Sequence, residues 1–190
     1  MKKEEIRDRI KARKSLLTVA EKAHAAAEVF RRLEQSAAFT LAENILLYHA
    51  LPDELPTQEF IDRWNTRKHF FLPRVNGLNL EILPYDRSRL AMGAFHIEEP
   101  QGDDVADISS IEMVVVPAVA YDRRGNRVGR GKGYYDRLLG ETKATKVGVG
   151  FDFQLIDEEI PAEPHDVAVD MVITDSRRVI IRHLRSKKGY

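Results

Sequence analysis

Residues Met113–Leu139, MVVVPAVAYDRRGNRVGRGKGYYDRLL, decide how the rest of the chain is read. A run of apolar residues ends at Pro117, a turn follows, and Gly129-x-Gly131-x-Gly133 then opens onto Tyr134, where a helix is predicted to begin. A continuous apolar strand belongs in a sheet buried on both faces, whereas an alternating one belongs in a sheet with a wet side. Glycine removes the Cβ that keeps a ligand away from the backbone, so successive amides can point at one anion while the new helix adds partial positive charge. Arg127, Arg130 and Lys132 bring three cations into six residues. Such charges repel one another at an ordinary turn and gather where phosphate or carboxylate binds. The stretch is built like a phosphate loop. It is not Walker A, because no Ser or Thr follows the lysine, and the third glycine comes too early for GxGxxG. Taken alone, GxGxG also suits a tight turn between a strand and a helix.

Working outward, apolar Ile6, Ile10 and Leu17 among charges mark an amphipathic helix from Lys2 to Leu17 with a strongly basic outer face. Thr18-x-x-Glu21 has capping-box spacing and starts a second helix that runs to about Ser36. Asn44–His49 reads as a short buried strand, Pro52 and Pro56 fence a loop, and Thr57 opens a helix through Trp64. Phe70–Pro73, Leu80–Leu83 and Met113–Pro117 are strand-like, as are Lys146–Phe151, Val169–Thr174 and Val179–Ile181. Strands and helices alternate. That order predicts an α/β fold with a largely parallel sheet, helices on both faces, and one domain over residues 1–190.

Composition agrees. With 190 residues, 43% hydrophobic and 32% charged, the chain can bury one sizeable core. No apolar run approaches the roughly 20 residues of a membrane span, and MKKEEIRDRI lacks the apolar stretch of a secretory signal. The absence of Cys excludes a disulfide framework and a thiolate nucleophile, so a soluble cytoplasmic protein is expected. Thirty basic and thirty acidic residues cancel, which argues against a surface that coats nucleic acid or membrane. The charges are segregated, however. Residues 98–112 and 152–166 each carry six acids and no Lys or Arg, while 123–137 carry six bases against one acid and 177–188 six against none. Segregation of this kind points to a local anion site, with solvated faces as the plain alternative.

Two acids stand out beside that site. Asp136, one turn into the helix, is placed to hold Mg²⁺ beside bound phosphates, or is simply an exposed acid favoured by the helix start. Asp170 interrupts VAVDMVIT, where a carboxylate is costly unless paired or on a metal, and is the second acidic candidate; an edge strand is the alternative. The six histidines show no metal-ligand spacing.

VVVPAVAYDRRGNRVGRGKGYYDRLL, followed by Gly148-Val-Gly-Phe, Gln154 and His165-Asp166-x-x-x-Asp170, resembles the 5-formyltetrahydrofolate cyclo-ligase family. The likeness extends to Lys3 and Arg7, Tyr48 with Asp53-Glu54, Leu72-Pro73-Arg74-Val75 and Glu99-Pro100, and leaves out residues 76–95 and the last dozen. Ala118, Tyr121 and Val128 depart mildly from the Gly, Phe and Leu usual in the family. The resemblance implies a three-layer α/β/α, Rossmann-like fold and an ATP- and Mg²⁺-dependent cyclisation of 5-formyltetrahydrofolate to 5,10-methenyltetrahydrofolate. It implies ATP binding by Lys3, Arg7, Arg127, Val128, Gly129, Arg130, Gly131, Lys132, Gly133, Tyr134 and Tyr135. Arg130 and Lys132 carry catalysis in this reading, and Asp136 and Asp170 hold Mg²⁺. Folate falls to Glu54 with Arg130, Gly131, Lys132, Gly133 and Tyr134. Lys3 and Arg7, four apart, share a helix face and can reach one polyphosphate. One of the two tyrosines is expected to offer a flat surface to a ring while at least one packs in the core. A monomer acting on small molecules is expected, without nucleic acid or membrane. Two other functions remain open on the residues alone: a single-stranded RNA module using the Arg/Gly/aromatic loop, and an ATP-independent sugar-phosphate enzyme on a similar fold.

Overall fold

The computed structural model describes residues 1–93 and 97–183, so the later part of the basic run 177–188 lies outside the described residues. At its centre is β6 (Met113–Val116), buried at all four positions, with Met113 and Val115 in one core and Val114 and Val116 in another. This two-sided burial explains the continuous apolar run. β6 pairs in parallel with β1 (Asn44–Leu46) and with β9 (Thr145–Val149). β2 (His69–Asn76) joins β1 and β10 (Met171–Ile173) joins β9, both again parallel. Antiparallel β3 (Asn79–Pro84) and β11 (Arg178–Ile180) close the edges, giving seven strands in the order β11-β10-β9-β6-β1-β2-β3. The expected α/β architecture is therefore present. Among the described residues no helix is long and apolar enough to cross a membrane.

One face is covered by α2 (Val19–Glu34), α3 (Ala37–Leu41) and α4 (Gln58–Trp64). α2 starts at the predicted capping box, with Glu21 N donating to Thr18 Oγ1 at 3.1 Å and Thr18 N to Glu21 Oε1 at 3.0 Å. It ends earlier than expected. Ser36, read as the last helical residue, instead caps α3, its Oγ accepting from Phe39 N at 3.2 Å. Phe30 stacks on Phe60 with centroids 4.5 Å apart, and Phe39 meets Trp64 edge-on at 4.8 Å. The other face carries α5 (Tyr134–Leu139), whose Leu138 and Leu139 pack against Val114, Val116 and Val172.

α1 (Lys3–Lys14) covers neither face. It docks on a short antiparallel ribbon of β7 (Ala120–Tyr121) and β8 (Arg127–Val128), burying Ile6 and Ile10 against Ala120, Val128, Ile156 and Ile160. The third residue of its buried stripe is Lys14, not Leu17, because the helix stops at Lys14 and the spacing Ile6, Ile10, Lys14 repeats every four residues. The ribbon and a second small hairpin, β4 (Leu90–Met92) with β5 (Glu98–Pro100), were not foreseen in the sequence.

Candidate active site

From β1 the chain moves to β2 on one side and later to β6 on the other, so the strand order reverses between β1 and β6. Open α/β sheets bind ligands beyond the carboxyl ends of the strands at such a point. Here Tyr48 and His49 follow β1, Pro117 and Ala118 follow β6, and all four wall a cavity of about 590 Å³.

The phosphate-like loop forms another wall. Gly131 and Gly133 sit at φ 100° and 70°, a region that side chains with a Cβ enter only at a cost, and Gly133 is the residue that turns the chain into α5. Docking of α1 through Ile6 and Ile10 brings Lys3 and Arg7 to the same cavity, where Arg7 Nε donates to Gly129 O at 2.9 Å. Several cations of the cavity are held by carboxylates. Lys3 Nζ lies 3.1 Å from Asp166 Oδ2, Arg7 Nη1 2.9 Å from Glu4 Oε2, and Arg130 Nη2 3.2 Å from Asp53 Oδ1. The Arg7 and Arg130 pairs, each with an exposed carboxylate, are worth about 0–1 kcal/mol, so an anion can displace them at little cost; the Lys3 pair is more buried. Arg127 differs. Its side chain is only 6% exposed, Nη2 meets Asp136 Oδ1 at 2.7 Å, and its buried Nε has no hydrogen-bond partner, a deficit of about 1–3 kcal/mol that an anion can relieve.

Glu54 supplies the buried acid, with 12% of its side chain exposed. Burial pushes its carboxyl above the ordinary glutamate value, opposed by the Leu51 amide at 2.9 Å and by the charges of Arg130 and Lys14. Tyr48 and Tyr135, with phenols raised by burial, stay neutral hydrogen-bonding groups; the Tyr48 hydroxyl donates to Leu55 O at 2.9 Å. Tyr134 lies along the cavity, its hydroxyl 3.4 Å from Gly77 O, while part of Tyr135 packs into the core beside α5.

The structure thus brings together Lys3, Arg7, Glu54 and, from the loop, Arg127, Gly129, Arg130, Gly131, Lys132, Gly133, Tyr134, Tyr135 and Asp136. It does not bring Val128 or Asp170. Val128 is fully buried beneath α1 and points its side chain into that small core. Asp170 precedes β10, at the amino ends of the parallel strands and away from the cavity at their carboxyl ends. Its carboxylate is taken by Lys146 N at 2.8 Å and His183 Nε2 at 2.8 Å, the pairing that a carboxylate next to a buried strand requires. Among the described residues no group of three His, Asp or Glu forms a metal site. Of the two acids read as metal ligands, only Asp136 lines the cavity, where a hard cation would take its remaining oxygens from phosphates and water. Lys14 and the pair of His49 Nε2 with Glu98 Oε2, 3.1 Å apart, escaped the sequence reading. The four-residue spacing from Ile6 was the available signal for Lys14.

A family model described as the 5-formyltetrahydrofolate cyclo-ligase family matches residues 1–175. The chain is 31% identical over 178 residues to a 5-formyltetrahydrofolate cyclo-ligase of Escherichia coli, covering 88% of this chain and 97% of the relative. It is 41% identical over 107 residues to one of Mycolicibacterium smegmatis, covering 54% of this chain and 55% of the relative. The solved structure of an Aquifex aeolicus 5,10-methenyltetrahydrofolate synthetase superposes with a TM-score of 0.87 at 30% identity, covering 100% of this chain and 98% of that one.

Proposed function

The chain belongs to the 5-formyltetrahydrofolate cyclo-ligase family, and we propose that it converts 5-formyltetrahydrofolate and ATP to 5,10-methenyltetrahydrofolate, ADP and phosphate. The observation that carries this reading is that the loop cations and the buried Glu54 share one cavity at the sheet's switch point.

A formamide oxygen is a poor leaving group, so activation is the central problem. In the proposed sequence the formyl oxygen attacks the γ-phosphorus and ADP departs with the bridging oxygen. The second folate nitrogen then attacks the activated carbon and loses its proton. The carbon–oxygen bond breaks, and inorganic phosphate carries the former formyl oxygen away. Transfer of this kind asks for positioning and charge stabilisation more than for a protein nucleophile, which suits a chain without cysteine. Lys3, Arg7 and Arg127 hold the polyphosphate; Arg130 and Lys132, on the exposed loop between Gly129 and Gly133, meet the phosphoryl group in transfer. Glu54 accepts donors of the pterin, and Tyr134 offers it a flat surface. Asp136 would hold Mg²⁺ together with the phosphates, where the ion supplies charge neutralisation and orientation of the γ-phosphoryl group. The same reading takes the enzyme to act in the cytoplasm, which the absence of cysteine supports, and as a monomer.

The test is formation of methenyltetrahydrofolate, followed by absorbance, with ATP, Mg²⁺ and 5-formyltetrahydrofolate each omitted in turn. Product is expected only when all three are present. Product formed without ATP rejects the phosphorylation route.

A further inference from the structure

Lys14 closes the back of this site, and nothing in the reaction as described uses it. Its side chain is 6% exposed, yet it carries an ammonium, a combination proteins tolerate only with partners. Nζ lies 3.6 Å from Asp53 Oδ2. Lys14 and Glu54 also line, with Tyr48, Pro117, Ala118 and Gln154, a pouch of about 10 Å³ behind the main cavity. Asp53 in turn is 3.2 Å from Arg130, and Glu54 Oε2 is 3.7 Å from the same guanidinium. Two cations therefore flank two carboxylates, and the cations differ in freedom. Arg130 stands on the glycine loop with 49% of its side chain exposed, whereas Lys14 is fixed by a helix face that Ile6 and Ile10 anchor.

We propose that Lys14 is a positioning residue: its buried ammonium is the fixed counter-charge that keeps Glu54 an ionised acceptor when Arg130 turns toward the nucleotide. The inference rests on the functional reading above. Its physical basis is that a phosphate competes with Asp53 and Glu54 for Arg130, and a carboxylate that loses its only nearby cation in a buried place takes up a proton. The charged or titratable groups facing Glu54 are Lys14 from α1, Asp53 beside it, Arg130 from the loop, and the phenols of Tyr48, Tyr121 and Tyr135. Only Lys14 and Arg130 among them favour the ionised form. Burial opposes the charge of Lys14 as well, and Asp53 and Glu54 are what sustain it, so the dependence is mutual.

The test compares wild type with Lys14→Met, which keeps volume and removes charge, and Lys14→Arg, which keeps charge. In the ligand-free full chain, carboxyl NMR with ¹³C-labelled glutamate follows Glu54 directly, its signal identified by its loss in Glu54→Gln. Lys14→Met is expected to raise the Glu54 titration by about one pH unit, Lys14→Arg to leave it near wild type, and the surface change Asp53→Asn to lower it. In turnover at saturating ATP, the acid limb of kcat/KM for the folate should move up by a similar amount in Lys14→Met, with the KM for ATP unchanged. A Glu54 titration that ignores Lys14→Met overturns the proposal, even if stability falls. Should Lys14→Met fail to fold, Lys14→Gln, which also removes the charge, decides. Wild type that makes no methenyl product would overturn the functional reading, while the titration still decides Lys14.

Discussion

α1 and α2 are neighbours in the chain and opposites in construction. α2 buries Ala25, Ala26, Val29, Phe30 and Leu33 against the sheet and meets an aromatic cluster, so its place is set by packing. α1 buries two isoleucines and a lysine and is otherwise held by polar contacts, Arg7 on Gly129 O, Lys3 on Asp166 and Arg9 on Glu158, and its outer turns carry Lys3 and Arg7 to the cavity. Fully burying a large aliphatic side chain stabilises by roughly 1.5–3 kcal/mol, so two of them anchor α1 about as firmly as a few ligand contacts would. One helix is scaffold, whereas the other buries little apolar surface, and under the proposed function its docking would be coupled to ligand binding.

The largest break in this comparison is to delete residues 1–8. Losing two charge-assisted contacts of about 1.5–3 kcal/mol each should lower kcat/KM for ATP by roughly two to four decades, while the α2 layer still unfolds cooperatively. ATP should raise the melting temperature less than in the full chain, and an undiminished shift would make α1 a plain solvated helix. The converse change, Phe60→Ala, removes a ring stacked on Phe30 and should cost about 3–5 kcal/mol in denaturant unfolding. Its folded molecules should keep the wild-type KM for ATP; an increase would mean that the aromatic layer also shapes the site.

Smaller changes sharpen the division. Lys132→Ala should lose about 1.5–3 kcal/mol of transition-state stabilisation, one to two decades in kcat/KM, with the thermal midpoint unmoved because the side chain is exposed. Asp136→Asn should raise the Mg²⁺ needed for half-maximal rate on the order of tenfold, whereas Asp170→Asn, away from the cavity, should affect stability and leave the Mg²⁺ dependence alone. The smallest effect is on pH. Burial pushes the Asp166 carboxyl up, but the Glu163 amide and Lys3 outweigh it and hold it below its ordinary value. A depressed acid adds stability that is complete above the unfolded value of about 3.9 and is lost as pH falls through the folded value. Acid should therefore loosen α1 by about 1 kcal/mol or less, and Asp166→Asn should remove that part of the acid loss seen by unfolding.

The strands and the loop were legible because they are local. MVVV announces two-sided burial, Thr18 and Glu21 announce a cap, and Gly129–Gly133 with its cations announces a loop on the cavity wall, each within a few residues. What was not legible depends on partners far away. Arg130 meets Asp53 across 77 positions, and Lys3 meets Asp166 across 163. Asp170 looked like an active-site acid because VAVDMVIT reads as one buried strand; β10 begins only at Met171, and His183 supplies a hydrogen-bonding partner from thirteen residues on. Lys14 stands in a basic run and drew no separate reading. The helical phase from Ile6 places it inward, but only the ribbon against which α1 packs says what it will meet there.

The path of the chain also sets a timetable. α1 leaves the ribosome before any of the surfaces that receive it: Ala120 and Val128 come more than a hundred residues later, and Ile156, Ile160 and Asp166 later still. β1 likewise waits in the middle of the sheet for β6. α2, α3, α4 and the first strands can begin to assemble at the exit tunnel, while α1 trails as a charged helix with nowhere to dock. The element that carries Lys3 and Arg7 is thus made well before the surface that seats it. A nascent chain short of residue 160 is missing part of the seat for α1, and with it the placement of Lys3 and Arg7 at the cavity.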